Sequence, residues 1–175
     1  MALATIGGGC FWCLEAVFER VKGVTSVVSG YTAGQHPSPT YTLVCGGKTG
    51  HAEVIQIEFN PDKITFATLL DLFFVMHDPT TLNRQGADEG TQYRSIILYH
   101  DENQKKVAED KIAEVNASGV WFKPLVTQVE ALPIFHPAEE YHQHYFSNNP
   151  LQGYCQAVVA PKIGKLLKSF PEIAT

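Results

Sequence analysis

The chain is short of positive charge, with 13 Lys and Arg against 18 Asp and Glu and a net charge of −5. None of that positive charge is gathered into a block, which argues against a phosphate backbone or an anionic membrane surface as partner. No apolar run approaches the ~20 residues that span a bilayer. Ala2–Ile6 is too short for a signal-peptide core and no basic stretch precedes it, so a soluble, cytoplasmic protein is expected. There is no internal repeat and no low-complexity segment. No Gly-Lys-Ser/Thr follows the triglycine at 7–9, so it is not a phosphate-binding loop. Four cysteines in 175 residues are too few for a disulfide scaffold; they suit redox chemistry, metal binding or plain burial.

What is present starts with Gly7-Gly8-Gly9-Cys10-Phe11-Trp12-Cys13. It follows a short apolar run and opens a segment with Leu14, Val17, Phe18 and Val21 at helical spacing. A cysteine at a helix start faces unpaired backbone N–H groups, so a lowered thiol pKa and a usable nucleophile are expected at Cys10. Two large aromatics directly after it are expected to wall a pocket. Cys10 and Cys13 form a Cys-x-x-Cys, which allows a redox dithiol; one reactive and one buried thiol is the alternative. Cys45 reads as a small buried hydrophobe. Cys155 lies in a C-terminal tail, placed to swing toward another sulfur.

The remaining pattern gives strands over 2–6, 24–31, 52–59, 95–99 and 125–131. Helices are expected over 14–21, closed by Lys22 and Gly23, then around 66–73, from Asp101 onward, from Pro137 to Phe146, and over 162–170. Asp101 with Gln104 reads as a capping box. Two long loops, 32–50 and 78–93, are places where function is often carried. The resulting class is an α/β (α+β) sandwich, a mixed sheet with helices packed on it. The opening order β-α-β-β-α-β fits the ferredoxin-like plan. One catalytic domain is expected over 1–175, with 147–175 as its tail.

Within the strand 52–59, Glu53 shares a face with Ile55, Ile57 and Phe59. A carboxyl on an apolar face is pushed toward its neutral form and becomes a proton donor near neutral pH. A strand-end glutamate bending back to solvent is the alternative, and the commoner one by position alone. Tyr41 and Tyr93 stand in the long loops, each offering a neutral O–H on an apolar ring or else plugging its loop onto the core. Seven histidines raise zinc, but only one Cys-x-x-Cys is present and no second ligand pair accompanies it.

The chain resembles the A-type peptide methionine sulfoxide reductases. The resemblance rests on Gly8-Gly9-Cys10-Phe11-Trp12, Ser29-Gly30-Tyr31-Thr32, Pro39-Thr40-Tyr41, Thr49-Gly50-His51-Ala52-Glu53-Val54, Gly90-Thr91-Gln92-Tyr93-Arg94-Ser95, Tyr141-His142-Gln143 and Gly153-Tyr154-Cys155, in family order along nearly the whole chain. It implies Cys10 as nucleophile and Glu53 as the acid that protonates the sulfoxide oxygen. Tyr41 and Tyr93 hold that oxygen, Phe11 and Trp12 wall the substrate methyl group, and Asp88 helps position the substrate. Cys155 is the recycling cysteine. Cys13, where the family commonly has Gly, is a second candidate for that step. The implied substrates are methionine S-sulfoxide, free or in proteins, and thioredoxin or another dithiol as reductant, with no cofactor and no metal. A thioredoxin-like dithiol oxidoreductase and a zinc-binding interaction module are the rival readings.

Overall fold

The computed structural model describes all 175 residues. In chain order it contains β1 (Ala2–Gly7), α1 (Phe11–Phe18), β2 (Val24–Thr32), α2 (Tyr41–Cys45), β3 (Ala52–Phe59), α3 (Phe66–Met76), β4 (Arg84–Gln85), β5 (Asp88–Glu89), β6 (Ile96–Tyr99), α4 (Glu102–Ser118), β7 (Gln128–Ala131), β8 (His136–Pro137), α5 (Tyr145–Asn148) and α6 (Ala160–Ser169). The six-stranded sheet runs β7-β6-β1-β3-β2-β8. Its central four strands, β6-β1-β3-β2, are antiparallel neighbours, and β7 adds in parallel beside β6. The two crossovers β1-α1-β2 and β3-α3-β6 make this the expected ferredoxin-like core.

Periodicity explains where the core sits. On β3 the alternation sends Ile55, Ile57 and Phe59 to the large cluster that also holds Phe11, Leu14, Phe18, Leu70 and Phe73 from α1 and α3. Ala52 and Val54 go to the opposite face, with Ile96 and Leu98. Each such side chain taken from water contributes about 1.5–3 kcal/mol, which fixes the register of β3: a slip of one residue would exchange the two faces.

Several boundaries differ from the sequence expectation. Helix α1 ends at Phe18 rather than near Val21, because the C-terminal segment takes over the following backbone. Lys22 N–H donates to Ile173 O at 2.7 Å and Val21 bridges Ala174. Gly23, at φ +90°, turns the chain into β2. Loop 32–50 carries α2, capped by the Thr40 hydroxyl on Leu43 N–H. Loop 78–93 carries the β4–β5 hairpin and a 3₁₀ turn at Thr91–Tyr93.

The expected helix from Pro137 is absent. His136 and Pro137 form an edge strand against Tyr31 and Gly30, where a residue without an N–H is tolerated. His144 then sits at φ +54°, a left-handed conformation that a helix cannot pass through. In place of that helix, a 3₁₀ turn, Glu140–His142, and the short α5 come after the edge strand. The C-terminal helix is longer than expected. It runs from 153 to 169 and contains a π-helical turn over Cys155–Val159.

Asp101 caps α4 as expected, its carboxylate accepting from Gln104 N–H at 2.7 Å, while Gln104 Oε1 accepts from His100 N–H at 2.9 Å. Replacing Asp101 by Ala should lower unfolding free energy by about 1 kcal/mol, read as a shifted midpoint at unchanged slope in urea denaturation.

Candidate active site

The triglycine is a close-packed turn between β1 and α1. A Cβ on Gly8 would lie 2.6 Å from the His77 ring, and Gly9 takes φ +84°. Gly9 N–H donates to Tyr93 O at 3.1 Å, which ties the 3₁₀ turn carrying Tyr93 to the residue before Cys10. Cys10 is the N-cap of α1, with φ −68° and ψ 130°.

The thiol of Cys10 does not have the lowered pKa that its place at a helix start led us to expect. It is 9% exposed, and burial pushes it well above the ordinary thiol value. The Glu53 carboxyl and the Cys13 thiol push in the same direction, while the Trp12 backbone N–H pulls against them. Loss of hydration outweighs one turn of helix dipole here, because the dipole acts through a few partial charges whereas desolvation acts on the whole anion.

Glu53 faces the core rather than bending back to solvent. It is 1% exposed, and its Oε1 accepts from the Phe11 backbone N–H at 3.1 Å. Its Oε2 is buried without a partner. Burial raises its pKa to about 8; the Phe11 N–H opposes this and Asp88 adds to it. The carboxyl is therefore neutral at pH 7, bonded to the residue next to Cys10 and with one oxygen uncommitted.

The two tyrosines arrive from separate loops. Tyr41 opens α2, its backbone N–H donating to Glu139 Oε2 at 2.9 Å, while Tyr31 O–H donates to Glu139 Oε1 at 2.8 Å. Tyr93 arrives on the 3₁₀ turn fixed by Gly9. Burial first, and Glu53 among the charges, pushes both phenols upward, so both remain O–H donors. Cys45 is exposed, against the expectation of a buried hydrophobe. It ends α2 one helical turn after Tyr41, the short helix placing it at the surface.

Of the two aromatics after Cys10, Phe11 is fully buried against Tyr31 and His142, so only Trp12 presents surface. The Trp12 ring stacks on Tyr145 at 3.7 Å and 5° and lies 6.4 Å from Tyr41. Its indole N–H donates to His142 Nδ1 at 3.0 Å.

Asp88 lies on β5, across a cleft of about 340 Å³ that Cys10, Gln85, Trp121, Tyr154 and Lys162 also line. Its Oδ2 accepts from Tyr154 O–H at 2.7 Å. The same hydroxyl lies 3.8 Å from Cys13 Sγ, so the Gly-Tyr-Cys segment reaches the site through its tyrosine. Cys155 itself is fully buried in the π turn, held in a helix rather than in a mobile tail. All four cysteines are free thiols.

The structure thus gathers Cys10, Cys13, Glu53, Trp12, Asp88, Tyr41 and Tyr93 around one helix start. Sequence reasoning gave no role to His142, Tyr145, Glu139 or Tyr154, which hold that group in place. The signal for His142 and Tyr154 was membership of the matching strings near the C-terminus; Tyr145 and Glu139 lie outside those strings. The one cluster of carboxylate and imidazole groups suited to a cation is Glu15, Glu19 and His144. Arg20 already pairs with Glu19 there, and no cysteine belongs to it.

Comparison with known proteins gives the family. The family described as peptide methionine sulfoxide reductase matches residues 2–173. Peptide methionine sulfoxide reductase MsrA of Polynucleobacter asymbioticus is 54% identical over 97% of this chain and 90% of its own. Among solved structures, reduced Mxr1 of Saccharomyces cerevisiae aligns with a TM-score of 0.82 at 38% identity, covering 88% of each chain. Mxr1 in complex with Trx2 aligns at 0.59 and 27% identity, covering 82% of this chain and 84% of that one.

The buried carboxyl has a measurable consequence for stability. With the Glu53 pKa raised from 4.5 to about 8, the folded protein keeps a proton that the unfolded chain releases. Stability therefore falls as pH rises from about 4.5 to about 8 and levels off above. Glu53→Gln should flatten that fall and be the more stable protein at pH 8.5, the difference vanishing near pH 4; urea denaturation across this range checks it. Glu15, raised to about 7 by burial, leaves a smaller slope of the same sign in both proteins.

Proposed function

As this chain belongs to the peptide methionine sulfoxide reductases, we propose that its activity, reduction of methionine sulfoxide to methionine, is carried by Cys10 as nucleophile and Glu53 as proton carrier. The observation that supports this best is the neutral, half-satisfied Glu53 carboxyl beside a neutral Cys10 thiol.

Two neutral groups suit the reaction without a standing thiolate. The sulfoxide oxygen leaves sulfur only once protonated, and Glu53 supplies that proton. The carboxylate it becomes takes the proton of Cys10 as the sulfur attacks. One oxygen passes from methionine sulfur to Cys10 sulfur, which is oxidised by two electrons to a sulfenic acid while methionine is released. Glu53 ends protonated, as it began. Tyr41 and Tyr93 orient the oxygen through their O–H groups. Trp12 receives the S-methyl group, since thioether carbon and sulfur pack well on rings. Asp88 helps position the substrate. Methyl and oxygen held on different walls admit one epimer, which we assign as the S form, in proteins or as the free amino acid.

A second thiol condenses with the sulfenic acid to a disulfide and water, and an external dithiol restores both thiols by exchange. We assign the recycling step to Cys155, with Cys13 on its route. A π turn within a helix frequently marks a functional site, and Tyr154 beside Cys155 already contacts Cys13. Thioredoxin is the proposed reductant, on the precedent of the Mxr1–Trx2 complex. On this reading the chain is one catalytic domain whose segment 147–175 carries the recycling cysteine. Its free cysteines favour the cytoplasm, and no helix is long and apolar enough to cross a membrane.

Incubated with dithiothreitol and a racemic methionine-sulfoxide peptide, the protein should remove one oxygen from about half of the substrate by mass spectrometry; Cys10→Ser should remove none, and any turnover by it refutes the nucleophile. Glu53→Gln should lose about 10²–10⁴-fold in kcat. Wild-type activity should fall above pH 8 as Glu53 ionises. With thioredoxin as reductant, Cys155→Ser should stall after one turnover, and sustained turnover would reassign recycling to Cys13.

A further inference from the structure

We propose that His142 is a positioning residue for the sulfoxide pocket: through its hydrogen bond to the Trp12 indole it sets the rotation of that ring within its own plane. The inference rests on the reading of Trp12 as a wall of the substrate's methyl site.

Trp12 has two kinds of support. Tyr145 stacks on one face at 3.7 Å and 5°. Stacking fixes the plane of a ring but lets it slide and turn within that plane. The bond from Trp12 Nε1–H to His142 Nδ1, 3.0 Å long, removes that remaining freedom. His142 is itself immobile. It is fully buried, its ring packs on Tyr41, Tyr141 and Phe11 with centroids 4.4, 4.1 and 5.2 Å away, and its backbone N–H donates to Glu139 O. The next residue, Gln143, clamps this turn to β2, its side chain accepting from Ser29 N–H and donating to Ser29 O, both at 2.9 Å.

The chemistry of the imidazole separates a positioning role from mere filling. Because Nδ1 accepts from the indole, the ring proton sits on Nε2. Nε2 is buried and has no partner, and a buried donor left unpaired is costly. A leucine or phenylalanine would fill the same space without that cost. What the histidine alone provides is the acceptor for Trp12, set against the Tyr41 ring, so that one residue holds two walls of the pocket in fixed relation. Burial lowers its pKa, which keeps Nδ1 unprotonated and available.

Four proteins test this: wild type, His142→Leu, His142→Asn and Trp12→Phe. Asparagine Oδ1 stands near the position of Nδ1 and keeps an acceptor. His142→Leu should raise KM for methionine sulfoxide about five- to tenfold with kcat changed far less, the loss of one hydrogen bond, and should weaken the preference between epimers. His142→Asn should return KM to within about twofold of wild type. The Trp12 indole N–H resonance, identified by its disappearance in Trp12→Phe, should shift in His142→Leu and stay in His142→Asn. Wild-type KM and epimer preference in His142→Leu, or an unmoved indole resonance, overturns the proposal. Should His142→Leu fail to fold, wild type decides: a Trp12 indole proton in fast exchange with solvent, or a His142 proton on Nδ1, overturns it equally. Unchanged KM in Trp12→Phe instead refutes the wall reading, whereas impaired Trp12→Phe beside unimpaired His142→Leu refutes only the role of His142.

Discussion

A single buried hydrogen bond, from the Phe11 backbone N–H to the Glu53 carboxyl, joins the first turn of α1 to the start of β3, and the site is organised around it. A carboxylate there would be stripped of water with only one donor to stabilise it. The group therefore stays protonated near neutral pH, and its second oxygen is left with no partner. A fold selected for stability alone would place an apolar residue at this position. Keeping the acid makes sense where a proton must be delivered to an oxygen that cannot leave without one.

The thiol follows the same logic. Burial that keeps Glu53 neutral also keeps Cys10 neutral, so the helix start does not yield a standing thiolate. On the proposed route a proton passes from acid to oxygen and is replaced from the thiol, which leaves the pair as it began, with no net proton drawn from solvent. The donors around it stay in one state: the phenols of Tyr41 and Tyr93 are held as O–H groups by the same exclusion of water. Cys155, to which we assign recycling, is kept apart, buried in the π turn of the C-terminal helix, while its neighbour Tyr154 spans Asp88 and Cys13. The segment that bears Cys155 thus already reaches the site through Tyr154.

Much of this was legible in the chain itself. The alternation of β3 put Glu53 on the core face beside Ile55 and Ile57, because a strand has only two faces and the apolar residues name one of them. The helix pattern after the triglycine and the Asp101–Gln104 cap were local signals with local causes. Other features were not legible. The end of α1 was decided by Lys22 bonding to Ile173, residues far apart in sequence. The strand at His136–Pro137 exists only because β2 offers it an edge. Cys155 looked mobile because a π turn has no sequence signature and its burial depends on what packs over it.

The amino-acid sequence by itself determined the two-crossover sheet and the family, and it singled out the residues proposed to react, since each is encoded by periodicity or by strings read in order. The tertiary structure decided the state of the Cys10 thiol and the support of the surrounding rings. Whether Cys10 is anion or thiol depends on how much water is excluded around it, and the acceptor for the Trp12 indole, His142, arrives from a segment 130 residues away. Desolvation and side-chain bonding sum over neighbours that only folding brings together; a local pattern can put one group on a buried face, as the alternation of β3 does for Glu53, but it cannot state the sum.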